Sequence, residues 1–167
     1  MTRIPEMPNE AARLQALHEL KILDTPPEQR FDEITRRAQQ EFNCKTVLIS
    51  LVGEDRQWFK SKQGMDKQET PRNISFCTYA IAEEEYLIVP DAHRDFRFKN
   101  NKLVKGPPFI RSYAGVILYS PDGYELGTFC LLHDEPRDYT TADITRIKQY
   151  ARLVEHELAL SPEFGRG

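Results

Sequence analysis

Residues 73–132 decide the fold of this chain. They contain four informative runs: NISFCTYAI at 73–81, LIVPDAHRDFRF at 87–98, GPPFIRSYAGV at 106–116 and LGTFCLL at 126–132. In this order they predict a capped helix start, a short apolar strand, a polar loop that ends in two prolines, and two longer strands. The Asp122-Gly123 pair between the last two strands is a strong hairpin signal, because glycine adopts a positive φ at little cost.

The residues before this stretch predict two helices and a hairpin. Residues 9–22 carry a partial leucine stripe. A second helix is predicted to restart at Thr25, with Pro26 at the first helical position and Glu28 completing a capping box. Residues 46–52 form a nearly continuous apolar run, which is typical of a central strand covered on both faces. The polar residues 67–73 are expected to be a loop.

Two aromatic residues mark the second strand of the predicted hairpin, residues 57–62. Trp58 and Phe59 are neighbours, so they lie on opposite faces of that strand. Which of the two faces the core is not readable from the sequence.

A long helix is predicted after Thr140, which can cap it together with Asp143. Its apolar residues recur at spacings of three and four. This pattern is typical of a coiled-coil or bundle seam and predicts a dimer seam. The seam residues are Ile144, Ile147, Ala151, Val154 and Leu158.

Composition and charge narrow the class of protein. The chain has 167 residues, of which 40% are hydrophobic and 29% are charged, with a net charge of -3. This composition suits one globular domain and gives no basic footprint for nucleic acid. Since no apolar run approaches the length of a bilayer span or a signal peptide, we expect a cytoplasmic protein that does not enter the membrane.

Cysteines and histidines give little support for a cofactor. The three cysteines are widely spaced and odd in number, so neither a disulfide framework nor a thiolate zinc site is expected. The four histidines show no helical metal-binding spacing. We therefore expect no metal and no cofactor.

The order of the predicted elements indicates an α+β fold. Helices at the two ends flank an antiparallel sheet, and a helix-and-loop segment interrupts it. We predict one domain over residues 9–160, with tails at 1–8 and 161–167.

The chain resembles GAF domains, in particular those at the N-terminus of bacterial sensor histidine kinases and diguanylate cyclases. The motifs that carry the resemblance are DRQWFKS at 55–61, SFC at 75–77 and RSYAG at 111–115. The resemblance implies a PAS-related sheet with terminal helices on one face. It places a pocket segment, residues 73–111, on the other face. It also implies a sensory role in two-component or cyclic di-GMP signalling, as a homodimer with a kinase or cyclase output domain or partner.

The pocket that the resemblance implies needs apolar walls and a few fixed polar groups. Arg111 suggests two readings, an anion contact or a structural pair with Asp91. The candidate ligand-binding residues are Trp58, Ser75, Phe76, Cys77, Tyr79, Asp91, Phe98, Arg111 and Tyr113. Phe96 and Phe109 are candidate walls in addition to these residues.

Three functions are compatible with these observations. The first is a sensor whose unidentified small-molecule ligand shifts the positions of the terminal helices. The second is a dimerisation or interaction module without a ligand. The third is a free methionine-(R)-sulfoxide reductase, which needs a nucleophilic thiolate and a resolving thiol. Only Cys77 lies in the pocket segment, whereas Cys130 lies on a predicted strand, so we expect no enzyme activity.

Overall fold

The computed structural model describes residues 4–160. Its helices are α1 (Glu10–Glu19), α2 (Gln29–Phe42), α3 (Phe76–Ala80), α4 (Lys102–Lys105) and α5 (Thr141–Ala159). Its strands are β1 (Thr46–Val52), β2 (Arg56–Gln63), β3 (Glu69–Pro71), β4 (Tyr86–Val89), β5 (Ser112–Tyr119) and β6 (Glu125–His133). Within the described range, no helix combines the length and apolarity that crossing a bilayer requires.

The six strands form one antiparallel sheet in the order β3-β2-β1-β6-β5-β4. Helices α1, α2 and α5 cover one face, and α3 with the loops around it covers the other. This arrangement confirms the predicted α+β fold with terminal helices on one face and the pocket segment on the other. It is stabilised mainly by apolar burial on both faces of the sheet.

Two cores result, one on each face. The helix-side core includes Leu17, Phe31, Phe42, Val47, Trp58, Phe129, Ile147 and Val154. The pocket-side core includes Leu48, Phe59, Phe76, Tyr79, Phe98, Tyr113 and Cys130. Strand β1 supplies both cores through its alternating side chains, and all of its residues are buried, as its continuous apolar run predicts.

The apolar stripe of α5 is part of the helix-side core. Ile147, Ala151 and Val154 are 0% exposed, and Leu158 is 4% exposed. Ile144, near the start of the helix, is half-buried. The predicted dimer seam is therefore wrong, because these side chains pack against the chain's own sheet and are not available to a second copy. The predicted capping box of Thr140 and Asp143 is confirmed.

The start of α2 differs from the prediction. The helix begins at Gln29, and Thr25 does not cap it. The Thr25 hydroxyl donates to the carbonyl of Ile22 and accepts from Lys60 Nζ at 2.8 Å. Lys60 Nζ also lies 2.7 Å from Glu28 Oε2. The turn before α2 is thus tied to strand β2, which overrides the local capping signal.

An irregularity in the β1–β2 ladder aims two consecutive side chains at α2. The register shifts between Ile49 and Ser50, where Ile49 pairs with Ser61 and Ser50 pairs with Phe59. Ser61 Oγ donates to Asp32 Oδ1 at 2.6 Å, while Lys60 binds the turn before the helix. Such bulges re-aim side chains, and here the Lys-Ser end of the DRQWFKS motif anchors the second helix.

Residues 67–73, predicted to be a loop, contain a short edge strand. Thr70 pairs with Gln57 in the ladder between β2 and β3. The strand has three residues and ends at Pro71, which is tolerated at a sheet edge. The predicted hairpin at Asp122-Gly123 forms, with Gly123 at a φ of 89°.

The N-terminal residues cross the edge of the sheet from one core to the other. Ile4 and Met7 pack against the pocket-side core, whereas Leu17 of α1 lies in the helix-side core. Residues 4–8, predicted to be a tail, therefore contact the fold. The other predicted tail, 161–167, lies outside the described residues.

Three charged side chains hold this crossing in place. They belong to Glu10, Arg13 and Arg72, and we call them the α1 clamp. Arg13 is 0% exposed, and its Nη1 donates to the carbonyl of Val52 at 2.8 Å. Its Nε lies 3.0 Å from Glu10 Oε1. Arg72, just before α3, donates to Glu10 and to the carbonyl of Gly53. The clamp joins the first helix directly to the start of the pocket segment.

The clamp makes stability depend on pH. Burial raises the pKa of Glu10, but hydrogen bonds from Arg72 and Arg13 outweigh it and lower the pKa from 4.5 to about 2. Because the folded pKa lies below the unfolded one, the stabilisation is complete above pH 4.5 and is lost as the pH falls towards 2.

We expect Glu10→Gln to flatten the pH dependence of the unfolding free energy in this window. Urea unfolding at a series of pH values measures it. Glu19→Gln, on the exposed side of the same helix, should instead follow the wild-type curve.

Candidate functional site

A small cavity lies between the sheet and the pocket segment, inside the pocket-side core. Its volume is about 20 Å³. The lining residues are Leu48, Gln57, Phe59, Met65, Thr70, Phe76, Cys77, Leu103, Ile110, Tyr113, Cys130 and Leu132. All of these described residues are apolar or uncharged, so the site suits a small neutral molecule and gives an ionised ligand no countercharge.

Gln57 organises the polar side of the cavity. Its Oε1 accepts from Ser50 at 2.9 Å and from Ser75 at 2.8 Å, and its Nε2 donates to Thr70 at 2.7 Å. All four side chains are buried. Because both the oxygen and the nitrogen of the side-chain amide have hydrogen-bond partners, Gln57 is fixed in one orientation. The network connects strands β1, β2 and β3 to the residue that begins α3.

Ser75 has a second role at the start of α3. Its side chain accepts a hydrogen bond from the backbone N–H of Thr78, so it caps the helix and forms the capped helix start that the sequence predicts. The cap sets the direction of the short helix and turns Cys77 towards the sheet. The SFC motif is therefore a helix start that aims one thiol into the cavity.

Cys77 lies in a cluster of hydroxyl groups. Its Sγ is 2.9 Å from Thr128 Oγ1 and 3.3 Å from the Tyr113 hydroxyl. Tyr113 and Thr128 are also 3.3 Å apart and 0% exposed. A methyl group on Gly115 would meet the Tyr113 hydroxyl at 2.1 Å. The glycine of the RSYAG motif is thus required because the Tyr113 side chain lies across it.

Four of the predicted site residues form an aromatic cluster. Phe76 stacks on Phe98 with ring centroids 4.1 Å apart, and Tyr79 meets the edge of Phe98 at 4.8 Å. Tyr113 lies 5.2 Å from Phe76. The sequence correctly brings these side chains into one region. They pack mainly against one another, and only Phe76 and Tyr113 contact the cavity.

Trp58 does not belong to the site. It is buried in the helix-side core, on the face of the sheet opposite the cavity. Its neighbours Gln57 and Phe59 point into the pocket side instead. The alternation of Trp58 and Phe59 was predicted correctly, but the assignment of Trp58 to the pocket wall was wrong.

Arg111 and Asp91 lie outside the cavity and bind each other. Arg111 Nε is 3.2 Å from Asp91 Oδ1, and its Nη2 contacts both carboxylate oxygens at 3.1 and 3.2 Å. Asp91 also accepts from the backbone N–H of His93. Burial raises the pKa of Asp91, but these hydrogen bonds outweigh it and lower the pKa. The structural pairing, one of the two readings of Arg111, is therefore observed, and it fixes the turn after β4.

Wider depressions lie on the outer surface of the pocket segment. One of about 930 Å³ lies between residues 90–97 and 136–138, and one of about 370 Å³ adjoins Tyr79. Phe96 is 73% exposed and Phe109 53% exposed, so neither is a wall of the inner cavity. The larger depression is open and bordered by mutually paired charges such as Arg97 and Asp95, so its size alone does not make it the site.

Several residues of the site were missed from the sequence, among them Ser50, Gln57, Thr70, Thr128 and Cys130. The sequence carried one signal for Gln57 and Thr128, because each is a polar side chain on the buried part of a strand. Such a residue must find partners and therefore marks a polar site in a core. Cys130 was placed on a strand outside the pocket segment, whereas in the structure it lines the cavity together with Cys77.

Comparison with known proteins agrees with this geometry. The profile of the GAF domain family matches residues 26–158. The chain belongs to the GAF domain family. A cyclic di-GMP phosphodiesterase of Pseudomonas aeruginosa is 37% identical over 155 residues, which cover 92% of this chain and 26% of that protein. This GAF domain thus spans about a quarter of the length of its curated relative.

Solved structures share the fold at low sequence identity. A type II free methionine-R-sulfoxide reductase from Thermoplasma acidophilum has a TM-score of 0.65 at 11% identity, covering 86% of this chain and 94% of that one. The blue-light-absorbing PixJ GAF domain of Thermosynechococcus elongatus has a TM-score of 0.63 at 14% identity, covering 93% and 90%. At these identities the likeness shows the GAF fold and nothing about the ligand.

Proposed function

We propose that this GAF domain is a small-molecule sensory and regulatory module of a bacterial signalling protein. The observation that carries the proposal is the buried polar site around Gln57, which lies between the sheet and a segment joined to it by loops. A core built only for stability rarely keeps so many hydrogen-bonding groups beside a cavity, because each of them would cost about 1–3 kcal/mol if it lost its partner. The expected ligand is small, neutral and able to hydrogen-bond.

The size of the cavity defines how a ligand would act. At about 20 Å³ the cavity is far smaller than the few hundred Å³ of ordinary ligand pockets. A ligand larger than water must therefore displace the pocket segment outwards. Binding would then favour a second arrangement of α3 and its neighbours, which is the population shift that a sensor requires.

The α1 clamp offers a route from the site to the terminal helices. Thr78 of α3 donates to the carbonyl of Arg72, and the Arg72 guanidinium binds Glu10 at the start of α1. Displacement of α3 would pull on this arginine and so on the first helix. A relay through the terminal helices, to a kinase, cyclase or phosphodiesterase partner or output domain, is part of the proposal.

The cyclic di-GMP phosphodiesterase relative supports a place in cyclic di-GMP signalling. We propose that this domain regulates such an enzyme and is not itself catalytic. A cytoplasmic homodimer through the terminal helices also remains a proposal. It would have to use outward-facing residues such as Leu153, which is 47% exposed, since the inner stripe of α5 is buried.

Native mass spectrometry of freshly purified protein tests the sensory proposal. We expect a mass excess that is lost on denaturation, and it should fall in the Thr70→Val variant. That variant removes one hydroxyl of the Gln57 network at nearly constant volume and should remain folded. Thr145→Val, on the exposed side of α5, is the matched control and should retain the wild-type excess. A bare mass in every sample, with no response of the melting temperature to a panel of neutral metabolites, would favour a ligand-free interaction module.

A further inference from the structure

Cys77 and Cys130 converge in the cavity from distant parts of the chain. Cys77 belongs to α3, and Cys130 to the central strand β6. Both are free, buried thiols, and both line the same cavity. A disulfide bond needs sulfur atoms about 2.05 Å apart, so forming it would draw the two thiols together across this small cavity.

The surroundings make the two thiols unequal. Burial raises the pKa of Cys77, but hydrogen bonds from neighbouring groups, among them Thr128 and Tyr113, outweigh it and lower the pKa. Burial and the neighbouring Cys77 raise the pKa of Cys130 well above its ordinary value. The first proton therefore leaves from Cys77, and the thiolate is the nucleophilic form. Cys130 keeps its proton and lies within reach as a resolving thiol.

The cavity selects the oxidant by size. Its volume of about 20 Å³ exceeds the roughly 10–15 Å³ that one water needs. The uncharged hydroxyl and amide groups around it suit a small neutral molecule with hydrogen-bonding capacity. Hydrogen peroxide fits this description, whereas a bulky charged oxidant such as glutathione disulfide does not. Met65, which is half-buried, borders the cavity near the surface.

We propose that Cys77 and Cys130 form a reversible disulfide when hydrogen peroxide enters the cavity, so that the domain carries a peroxide-responsive redox site. The Cys77 thiolate attacks one oxygen, the O–O bond breaks, and the leaving hydroxide takes a proton to become water. The Cys77 sulfenic acid is then attacked by the Cys130 sulfur. The S–O bond breaks, the S–S bond forms, and the Cys130 proton leaves with hydroxide as a second water. Two thiols are oxidised by two electrons, and one peroxide is reduced to two waters.

The bond would change the structure where the sensory site lies. It would tie α3 covalently to the centre of the sheet and remove the Cys77 sulfur from its contacts with Thr128 and Tyr113. It would also oppose the outward movement of α3 that a larger ligand needs. The redox proposal rests on the position of the two thiols in the cavity and does not depend on the domain having a ligand.

Cys44 provides an internal control. It lies in the helix-side core, and its Sγ contacts the carbonyl of Thr46 at 3.6 Å. Burial raises its pKa to about 11. It should therefore remain reduced while the other pair is oxidised.

Thiol counting by mass spectrometry tests the redox site. The full chain is exposed to hydrogen peroxide at low molar excess, denatured, alkylated and digested. We expect alkylation to be lost at Cys77 and Cys130 together, to persist at Cys44, and to return after reduction with dithiothreitol. A peptide carrying the Cys77–Cys130 bond should appear in the unreduced digest of the wild-type protein. Equal amounts of glutathione disulfide should act much more slowly.

Two variants sharpen the result. In Cys130→Ser, the Cys77 sulfenic acid has no resolving partner and should accumulate as a dimedone adduct, whereas Cys77→Ser should give no adduct. Cys44→Ser should behave as the wild type. Full alkylation of Cys77 and Cys130 in peroxide-treated wild-type protein, or a disulfide only between two chains, would overturn the proposal. So would an equally fast reaction with glutathione disulfide.

Discussion

Val154→Glu is expected to unfold the domain at room temperature. Val154 is 0% exposed and lies in the helix-side core with Ile147 and Ala151. A glutamate there would bury a carboxylate without a partner, which costs several kcal/mol even after the side chain rearranges. Small domains are stable by only about 5–15 kcal/mol, so the loss is a large share of the total. A dimer seam would instead have produced a folded monomer.

Far-ultraviolet circular dichroism and urea unfolding measure the effect. The matched control is Thr145→Glu, on the exposed side of the same helix. We expect the control to keep the wild-type free energy of unfolding to within about 0.5 kcal/mol. A folded Val154→Glu protein that elutes as a smaller species than the wild type would restore the seam and refute the core assignment.

Arg13→Met is expected to cost about 3–5 kcal/mol of unfolding free energy. Arg13 is 0% exposed, and it donates to the carbonyls of Val52 and Glu125 as well as to Glu10. Methionine fills a similar path but donates nothing, so two backbone carbonyls lose a partner and Glu10 keeps only Arg72. Since the first helix is held to the sheet through these contacts, α1 should also become the most easily exchanged helix.

Urea unfolding gives the free energy, and amide hydrogen exchange locates the loosened element. Arg94→Met serves as the control, because the Arg94 side chain is 89% exposed. Its loss should change stability by less than about 0.5 kcal/mol. An Arg13→Met protein as stable as the wild type, with full exchange protection in α1, would show that the clamp is not what holds the first helix.

Periodicity predicted the elements well because the core is built from repeating local patterns. The apolar run of β1 and the three-and-four spacing of α5 gave both elements almost to the residue. The same spacing could not say what covers Val154, since a helix face looks alike whether it meets a sheet or a second helix. The assignment of Trp58 to the pocket failed for a related reason, because both faces of β2 are buried.

Local start signals failed where distant residues compete for the same atoms. Thr25 has the sequence context of a cap, yet its hydroxyl is occupied by Ile22 and by Lys60 from strand β2. The edge strand β3 was missed because its three residues end in a proline and form a strand only through pairing with β2. In both cases the partner is tertiary and leaves no local trace.

The site was predictable in its apolar part and hidden in its polar part. All four members of the aromatic cluster, Phe76, Tyr79, Phe98 and Tyr113, were among the candidate ligand-binding residues of the sequence. The meeting of Cys77 and Cys130 in one cavity depends on how α3 lies against β6, which no spacing in the sequence encodes. Arg111, a charged residue in an apolar stretch, was explained by its bidentate pair with Asp91.

The strand order has a consequence for folding kinetics. The hairpins β1–β2 and β5–β6 are local, but the centre of the sheet joins β1 to β6, where Thr46 pairs with Leu132. Bringing Thr46 and Leu132 together costs chain entropy before the contacts between β1 and β6 can form and stabilise the sheet. The central pairing is therefore expected to be the slow step. The pocket segment lies between β1 and β6 in the sequence and links the hairpins β1–β2 and β5–β6. Most of its residues take no part in the pairing of these strands. Evolution can therefore exchange the recognition residues of such a domain while its rate-limiting nucleus stays the same.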